Sequence, residues 1–297
     1  MSTFNGERFI EEQVRSILDQ LPADGLLMVR DDGSSDGTVA RIQAFGDARI
    51  HISTGPNIGF AQSFLTLLSQ APPNTDMVMF SDQDDVWLPE KIERAWQHLQ
   101  PQKHLPALYC SAQMLVDESL ETLHATPPWP HPPSFVNALA ENIVTGCTAA
   151  INKNALQLLQ QAGVPEGVQF HDWWLYLVVS AFGMVVVDNQ PTLLYRQHGT
   201  NQIGHGAGWW GRQVQMLRFL RKHYWVRILL NQVAALVRNY SDQLNPVQIK
   251  LLNSHFQIIG NQALPLWSLI FSLQRWRQMM CHEPAFRALL IWHIVSS

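Results

Sequence analysis

The chain has 297 residues, 46% hydrophobic and 15% charged, enough apolar content for one large domain or a domain with an appendage. That composition excludes wholesale disorder, and three scattered cysteines (Cys110, Cys147, Cys281) indicate neither a disulfide framework nor a zinc site. The net charge of −4 conceals an asymmetry: residues 1–204 hold 22 acids and 10 bases, a net −12, whereas residues 205–297 hold 10 bases and two acids, a net +8.

Taken in order, Met1 to Gly6 reads as a strand end running into a turn. Apolar residues at Phe9, Ile10, Val14, Ile17, Leu18 and Leu21 have a helical period. Leu26 to Val29 is a short strand that empties into Arg30-Asp31-Asp32-Gly33-Ser34-Ser35-Asp36-Gly37-Thr38, and Val39 to Phe45 is the next helix. Arg49 to Ser53 alternates like a strand, and Phe60 to Ala71 reads as a helix. Asp76 to Ser81 is a buried strand, followed by a helix over Pro89 to Leu99. This strand and helix alternation predicts a mostly parallel, doubly wound sheet. Ala107 to Val116, Thr145 to Asn152, Met184 to Val187 and Thr192 to Tyr195 are further strands, with helices over Lys153 to Ala162 and His171 to Phe182. The Pro-rich stretch Pro127 to Pro133 is a loop, and beyond residue 205 the pattern is helical throughout. The expected division is one domain over 1–204 and a basic, Trp-rich helical region over 205–297.

The chain's chemistry centres on Ser81-Asp82-Gln83-Asp84-Asp85-Val86-Trp87, where an apolar strand ends in three carboxylates. Open α/β sheets bind ligands beyond the C-terminal ends of their strands. Asp82 and Asp84, two apart, point the same way from extended backbone. Such a pair suits a hard cation, Mg²⁺ or Mn²⁺, shared with a diphosphate; the plainer alternative is an acidic turn capping the next helix. After the earlier strand, Asp31 or Asp32 is placed to accept hydrogen bonds from a ribose or a base, while Asp36 serves as a helix cap. The same loop mimics a calcium-binding loop through Asp32, Ser34, Asp36 and Gly37, but Gln43 stands where the bidentate Glu is needed. Asp172 is either a helix cap or a general base for a hydroxyl. Trp173 and Trp174 line an acceptor or fill a core. His198, in a polar cluster with Arg196 and Gln197, is a third metal ligand or a diphosphate contact.

Together these segments resemble the family 2 glycosyltransferases. Asn5-Gly6, the Asp31–Thr38 loop, Asn57-Ile58-Gly59, the Ser81–Trp87 segment, Thr145-Gly146-Cys147, His171-Asp172-Trp173-Trp174 and Tyr195-Arg196-Gln197-His198-Gly199 stand in that family's order over residues 1–204. The Ser-Asp-Gln-Asp-Asp-Val-Trp form is most similar to bacterial rhamnosyltransferase-type members. The resemblance implies a GT-A fold and an inverting, metal-dependent transfer, with L-rhamnose on dTDP as the donor. It assigns Thr3, Asn5, Asp31, Asp32, Asp82 and Arg196 to the nucleotide sugar, and Asp84 with His198 to Mg²⁺ or Mn²⁺. Asp172 becomes the base, and Asp85, Gly146, Trp173 and Trp174 line the metal or acceptor surroundings. The implied acceptor is a lipid-linked or growing surface polysaccharide such as O-antigen.

Only Met1 precedes Ser2 where the family has an apolar first strand, so the expectation is that the true start lies upstream or that the copy is truncated. A catalytically impaired, membrane-associated binding module and a sugar-phosphate nucleotidylyltransferase are the alternatives. The latter would want a Gly-rich, basic loop near the start. Between Trp209 and Ser241 lie six bases and no acid, interleaved with Trp209, Trp210, Phe219, Trp225, Ile228 and Leu229. This suits either an anionic membrane surface or a helical lid. No basic N-terminal flank marks a signal peptide, and the longest apolar stretch, Ala263 to Leu273, is short of the ~20 residues of a spanning helix. The expectation is a cytoplasmic protein, peripheral on the inner membrane face, with no nucleic-acid partner.

Overall fold

Ser2–Thr3 form strand β1, which runs parallel to β2 (Leu27–Asp31) with Thr3 opposite Asp31. β2 in turn runs parallel to β3 (Ile50–Thr54). The structure, a computed structural model, describes residues 1–197, 225–259, 262–271, 277–278 and 283–296. Parallel neighbours need crossovers, which helices α1 (Ile10–Leu18) and α2 (Thr38–Gln43) provide. α1 buries Ile10, Gln13, Val14 and Ile17, one face of a helix by their spacing. Its apolar members form a core with Leu27, Val29, Ile42, Trp87 and Leu193. Helix α3 (Phe60–Gln70) then leads to β4 (Met77–Met79).

From β4 the chain passes through the acidic segment into β5 (Val86–Trp87) and helix α4 (Lys91–Leu99). The remaining strands are β6 (Ala107–Val116), β7 (Thr122–Ala125), β8 (Ala150–Asn152) and β9 (Met184–Arg196). They build a second sheet in the order β4-β8-β6-β9-β5, with β7 on β6. Here the expectation of mostly parallel strands stops: β6 and β9 are parallel, whereas β4–β8, β6–β8, β5–β9 and β6–β7 are antiparallel.

Local chemistry explains three other differences. The two strands expected over 184–195 are one bulged strand. The polar Asp188-Asn189-Gln190 that separates them in sequence stays in the sheet because Asp188 is buried on Arg94, the Tyr109 hydroxyl (2.9 Å) and the Gln190 N–H (3.0 Å). The strand expected from Thr145 instead opens with a 3₁₀ turn, Gly146–Thr148, in which Thr148 bonds back to the Thr145 carbonyl at 2.7 Å. Beyond residue 205 the chain is not all helix, since Phe256–Ile259 and Gln262–Pro265 pair as an antiparallel hairpin. Ile258 and Ile259 are β-branched and favour a strand.

The fold divides into two units that are not the two halves of the chain. One comprises Met1–Pro128, Val144–Val164 and Gly183–Gly204; the other Trp129–Ile143, Pro165–Phe182 and His205–Ser297. The second unit takes Pro165–Phe182 because the helix His171–Phe182 is apolar on nearly every side, burying eight residues from His171 to Val179. Such a helix has to be enclosed. Within that unit Trp173 stacks on Trp225 (ring centroids 4.6 Å apart) and donates its indole N–H to the Ala138 carbonyl at 2.7 Å. Trp174 packs against Tyr240. Both tryptophans are 1% exposed, so they are core residues rather than a surface for a sugar. Ile228 and Leu229, which in sequence suit either a membrane surface or a helical lid, are likewise buried. The rest of the basic run up to residue 224 lies outside the described residues.

Candidate active site

Asp31 ends β2 and Asp32 follows it directly; they are 1% and 3% exposed. Their surroundings give them different work. Asp31 Oδ1 accepts the Thr3 hydroxyl (2.9 Å) and the Ser34 hydroxyl (2.5 Å), and Oδ2 accepts the N–H groups of Gly33 (3.1 Å) and Ser34 (2.8 Å). A carboxylate offers about four lone-pair sites, so Asp31 is saturated by its own loop. Asp32 pairs with Arg30 through Oδ1 and accepts the Ile58 N–H through Oδ2 at 3.2 Å, which leaves it acceptor capacity. Thr3 therefore pins Asp31, and Asp32 is the group of the pair that can take a ligand.

The turn after β1 is stitched to this loop. Asn5 adopts φ 48°, a left-handed conformation that Asn tolerates better than most residues. Its N–H reaches the Ser34 hydroxyl at 2.8 Å and its Oδ1 accepts the Ser35 N–H at 2.9 Å. Asp36 accepts the N–H (3.0 Å) and hydroxyl (2.5 Å) of Thr38, satisfying the start of α2 as a cap does. Burial would raise its carboxyl, but the bonds from Thr38 and the Glu7 N–H outweigh that and hold it below the usual range. Since Leu27–Asp31 is a strand, no calcium-binding helix–loop–helix forms here.

The acidic segment is held from three sides. The Gln83 side chain reads the Phe4 backbone like a neighbouring strand, accepting its N–H at 2.9 Å and donating to its carbonyl at 3.1 Å. A Cβ on Gly6 would lie 2.4 Å from Gln83 Oε1, so glycine there admits this contact. From α1, Gln13 donates to the Ser81 hydroxyl at 2.6 Å and the Ser16 hydroxyl accepts the Trp87 N–H at 3.0 Å. From β9, Arg196 donates to the Asp84 carbonyl (2.9 Å), the Glu118 carbonyl (2.5 Å) and the Glu12 carboxylate, with its plane 4.4 Å from the Phe9 ring. At 2% exposure it shapes the acidic loop, so the sequence reading of Arg196 as a donor contact gives way to a scaffold role. Gln83, Gln13 and Ser16 were missed in sequence. The signal available for the last two was polar residues on the buried face of an amphipathic helix.

Asp82, Asp85 and Cys147 bring their ligand atoms within 4.8 Å of one another. The segment bends between β4 and β5 rather than continuing the strand. In this grouping Asp85 therefore stands beside Asp82 where extended backbone would have placed Asp84. Asp84 stands half-buried outside the grouping, and His198 lies outside the described residues. Asp85 is 1% exposed, accepts the Arg196 N–H at 3.3 Å, and its Oδ2 has no hydrogen-bond partner among the described residues. Burial, then the charges of Asp84 and Asp82, push its carboxyl well above the usual range. Burial likewise raises the Cys147 thiol, which stays protonated. Converging carboxylates with an orphaned buried oxygen fit a hard divalent cation; the neutral thiol does not. Beneath them Lys91, fully buried and held by the Thr192 hydroxyl at 3.0 Å, has its ammonium pushed down to about 8 by burial.

Residues 1–158 match the family model "Glycosyl transferase family 2". The chain belongs to the family 2 glycosyltransferases. Among this family's members, dTDP-rhamnosyl transferase RfbG of Shigella flexneri is 30% identical over 223 residues, 69% of this chain and 73% of the relative. The fold is that of GT-A glycosyltransferases. S. aureus TarS in complex with UDP aligns with TM-score 0.52 and 14% identity over 85% of this chain and 76% of its own. Mannosyltransferase PcManGT from Pyrobaculum calidifontis, in complex with GDP-Man and Mn2+, aligns with TM-score 0.51 and 14% identity over 99% and 85%. Family membership removes the nucleotidylyltransferase alternative.

One residue of the family pattern belongs to the second unit. Asp172, half-buried in the first turn of its helix, accepts the Trp173 N–H on Oδ1 at 2.7 Å. The buried neighbours Trp173 and Trp174 fix that turn.

Proposed function

We propose that this glycosyltransferase transfers a sugar, L-rhamnose from dTDP, to a saccharide hydroxyl with inversion at the anomeric carbon. The observation that carries the reading is the division of labour at the strand ends: Asp31 is saturated, Asp32 retains acceptor capacity, and Asp82 and Asp85 converge on each other in the same unit. Asp32 suits a base with a ring N–H on its Watson–Crick edge, which thymine, uracil and guanine have and adenine and cytosine lack. The likeness to a protein named a dTDP-rhamnosyl transferase favours thymine. In the reaction the acceptor oxygen bonds to the anomeric carbon as the bond to the diphosphate oxygen breaks, and Asp172 takes the hydroxyl proton. Asp82, Asp84 and Asp85, with His198, would hold Mg²⁺ or Mn²⁺, which when bound offsets the charge gathering on the leaving diphosphate.

Thermal melting against dTDP, UDP and GDP, each with and without Mn²⁺, tests the donor site. At a hundredfold excess over Kd a ligand of the folded form adds ~2.7 kcal/mol, a shift of several degrees. The expected result is a shift with dTDP that needs the metal. A cooperative melt unmoved by every nucleotide would overturn the reading.

The acceptor we take to be lipid-linked, on the strength of the acid-free basic run between Trp209 and Ser241. No helix among the described residues is long and apolar enough to cross a membrane. With Ile228 and Leu229 buried, attraction to an anionic bilayer would be by charge, at ~1 kcal/mol per base near the surface. Sedimentation with phosphatidylserine vesicles is expected at low salt and should vanish at roughly 0.5 M salt as charges are screened. No sedimentation at low salt sinks this part.

A further inference from the structure

Arg30 is a charged residue in the interior of a parallel strand, where apolar side chains are the rule. It is 8% exposed, and its charge has to be compensated inside the protein. Three partners do so. The guanidinium pairs with Asp32, donates to the Pro56 carbonyl at 3.2 Å, and donates to the Ser63 hydroxyl at 3.4 Å. Asp32 closes a ring by accepting the Ile58 N–H. Beyond the backbone bond from the Gly55 N–H to the Asp31 carbonyl (3.0 Å), the turn after β3 is thus tied to the end of β2 by two side chains, one from each member of the pair. Glycine makes the approach possible: a Cβ on Gly55 would lie 3.0 Å from Arg30 Nη2, and one on Gly33, at φ +82°, would lie 3.2 Å from the Gly55 carbonyl. The tied turn presents Ile58, whose side chain is 41% exposed, an apolar surface next to the acceptor capacity of Asp32.

We propose that Arg30 is a positioning residue that sets nucleobase selectivity, by holding Asp32 and the Gly55–Ile58 turn in one fixed relation. The inference rests on the reading of Asp32 as the base acceptor. A planar fork with five donors can serve a carboxylate, a carbonyl and a hydroxyl at once; a lysine ammonium is a point charge and does not reproduce that geometry. Without Arg30, Asp32 loses its fixed orientation and the turn loses its hold at Pro56, keeping only the Gly55 N–H bond to the Asp31 carbonyl and the Ile58 bond to a carboxylate that can now turn, so a base of either size would be accepted alike.

The test is calorimetric titration of dTDP and GDP, with Mn²⁺, into the wild type, Arg30→Met, Arg30→Lys and Gly55→Ala. Loss of one charge-assisted hydrogen bond corresponds to about tenfold in affinity. Arg30→Met is expected to lose about that factor for dTDP and to bring the two nucleotides within about twofold of each other. Arg30→Lys should not restore the preference. In the cycle with Asp32→Asn, the double variant should bind dTDP no worse than the weaker single one, because the two act as a unit. If Arg30→Met does not fold, Gly55→Ala decides, since its added methyl displaces the guanidinium and keeps every charge; it should lower the preference in the same direction. A folded Arg30→Met or Gly55→Ala with wild-type affinities and wild-type preference overturns the inference. A wild type that binds neither nucleotide overturns the donor-site reading instead.

Discussion

Asp172→Asn should lower kcat by roughly 10²–10⁴-fold while leaving the metal-dependent melting shift with dTDP in place. The substitution isolates charge from fold. Asp172 Oδ1 takes the Trp173 N–H, and an asparagine oxygen accepts that bond equally well, since Asn and Asp are comparable at helix starts. Trp173 and Trp174, each 1% exposed, anchor the turn whichever residue stands there. What the amide cannot do is take a proton from an attacking hydroxyl. Release of dTDP from dTDP-rhamnose in the presence of acceptor would be followed under saturating donor. A variant that turns over at the wild-type rate would move the base elsewhere, and a variant that loses the melting shift would show that Asp172 serves binding rather than proton transfer.

The parts of the fold that were legible were those set by local pattern. Strand β6 runs over Ala107–Val116 as read, because ten residues of continuous burial potential lie between turn signals. The helix from Lys153 starts where Asn152 caps it, its side chain accepting the Ala155 N–H. The helix His171–Phe182 was legible from the strongly apolar run that follows His171-Asp172. The candidate site was legible as a set of carboxylates, not as an arrangement. Spacing along an extended strand pairs Asp82 with Asp84, but the backbone bends after β4 and brings Asp85 to Asp82. Arg196 carries the right charge for a diphosphate, and only its partners, Glu12 and two carbonyls, reveal that it is spent on the loop. Nothing local marks Gln83 as a surrogate strand partner for Phe4, or residues 129–143 as members of the second unit. These are long-range facts. Arg30 was not legible either: the expected strand stops at Val29, whereas β2 runs on to Asp31 and buries Arg30 among partners that lie far off in sequence.

Stability should fall as pH drops from about 6.5 to 4.5 by a part that His171→Gln abolishes. His171 is 4% exposed, and burial pushes its imidazole down to about 3. In the unfolded chain it titrates at about 6.5. The sign follows from proton counting: below 6.5 the unfolded state binds a proton that the folded state refuses, so the contribution is whole above 6.5 and lost as pH falls toward 3. Each pH unit in that window costs ~1.4 kcal/mol, or about 2.7 kcal/mol by pH 4.5, against a total stability of typically 5–15 kcal/mol. His255 and His293 are also lowered by burial, and the carboxylates of Asp36 and Asp188 weaken folding further at still lower pH. All of these act in both proteins, so they cancel in the difference between the two urea-unfolding curves. That difference should be constant above pH 7 and shift against the wild type by about 2.7 kcal/mol at pH 4.5. A flat difference across the window would mean that the imidazole is protonated in the fold, and that the N-terminal turn bearing Asp172 sits in water rather than in the apolar enclosure on which its rigidity depends.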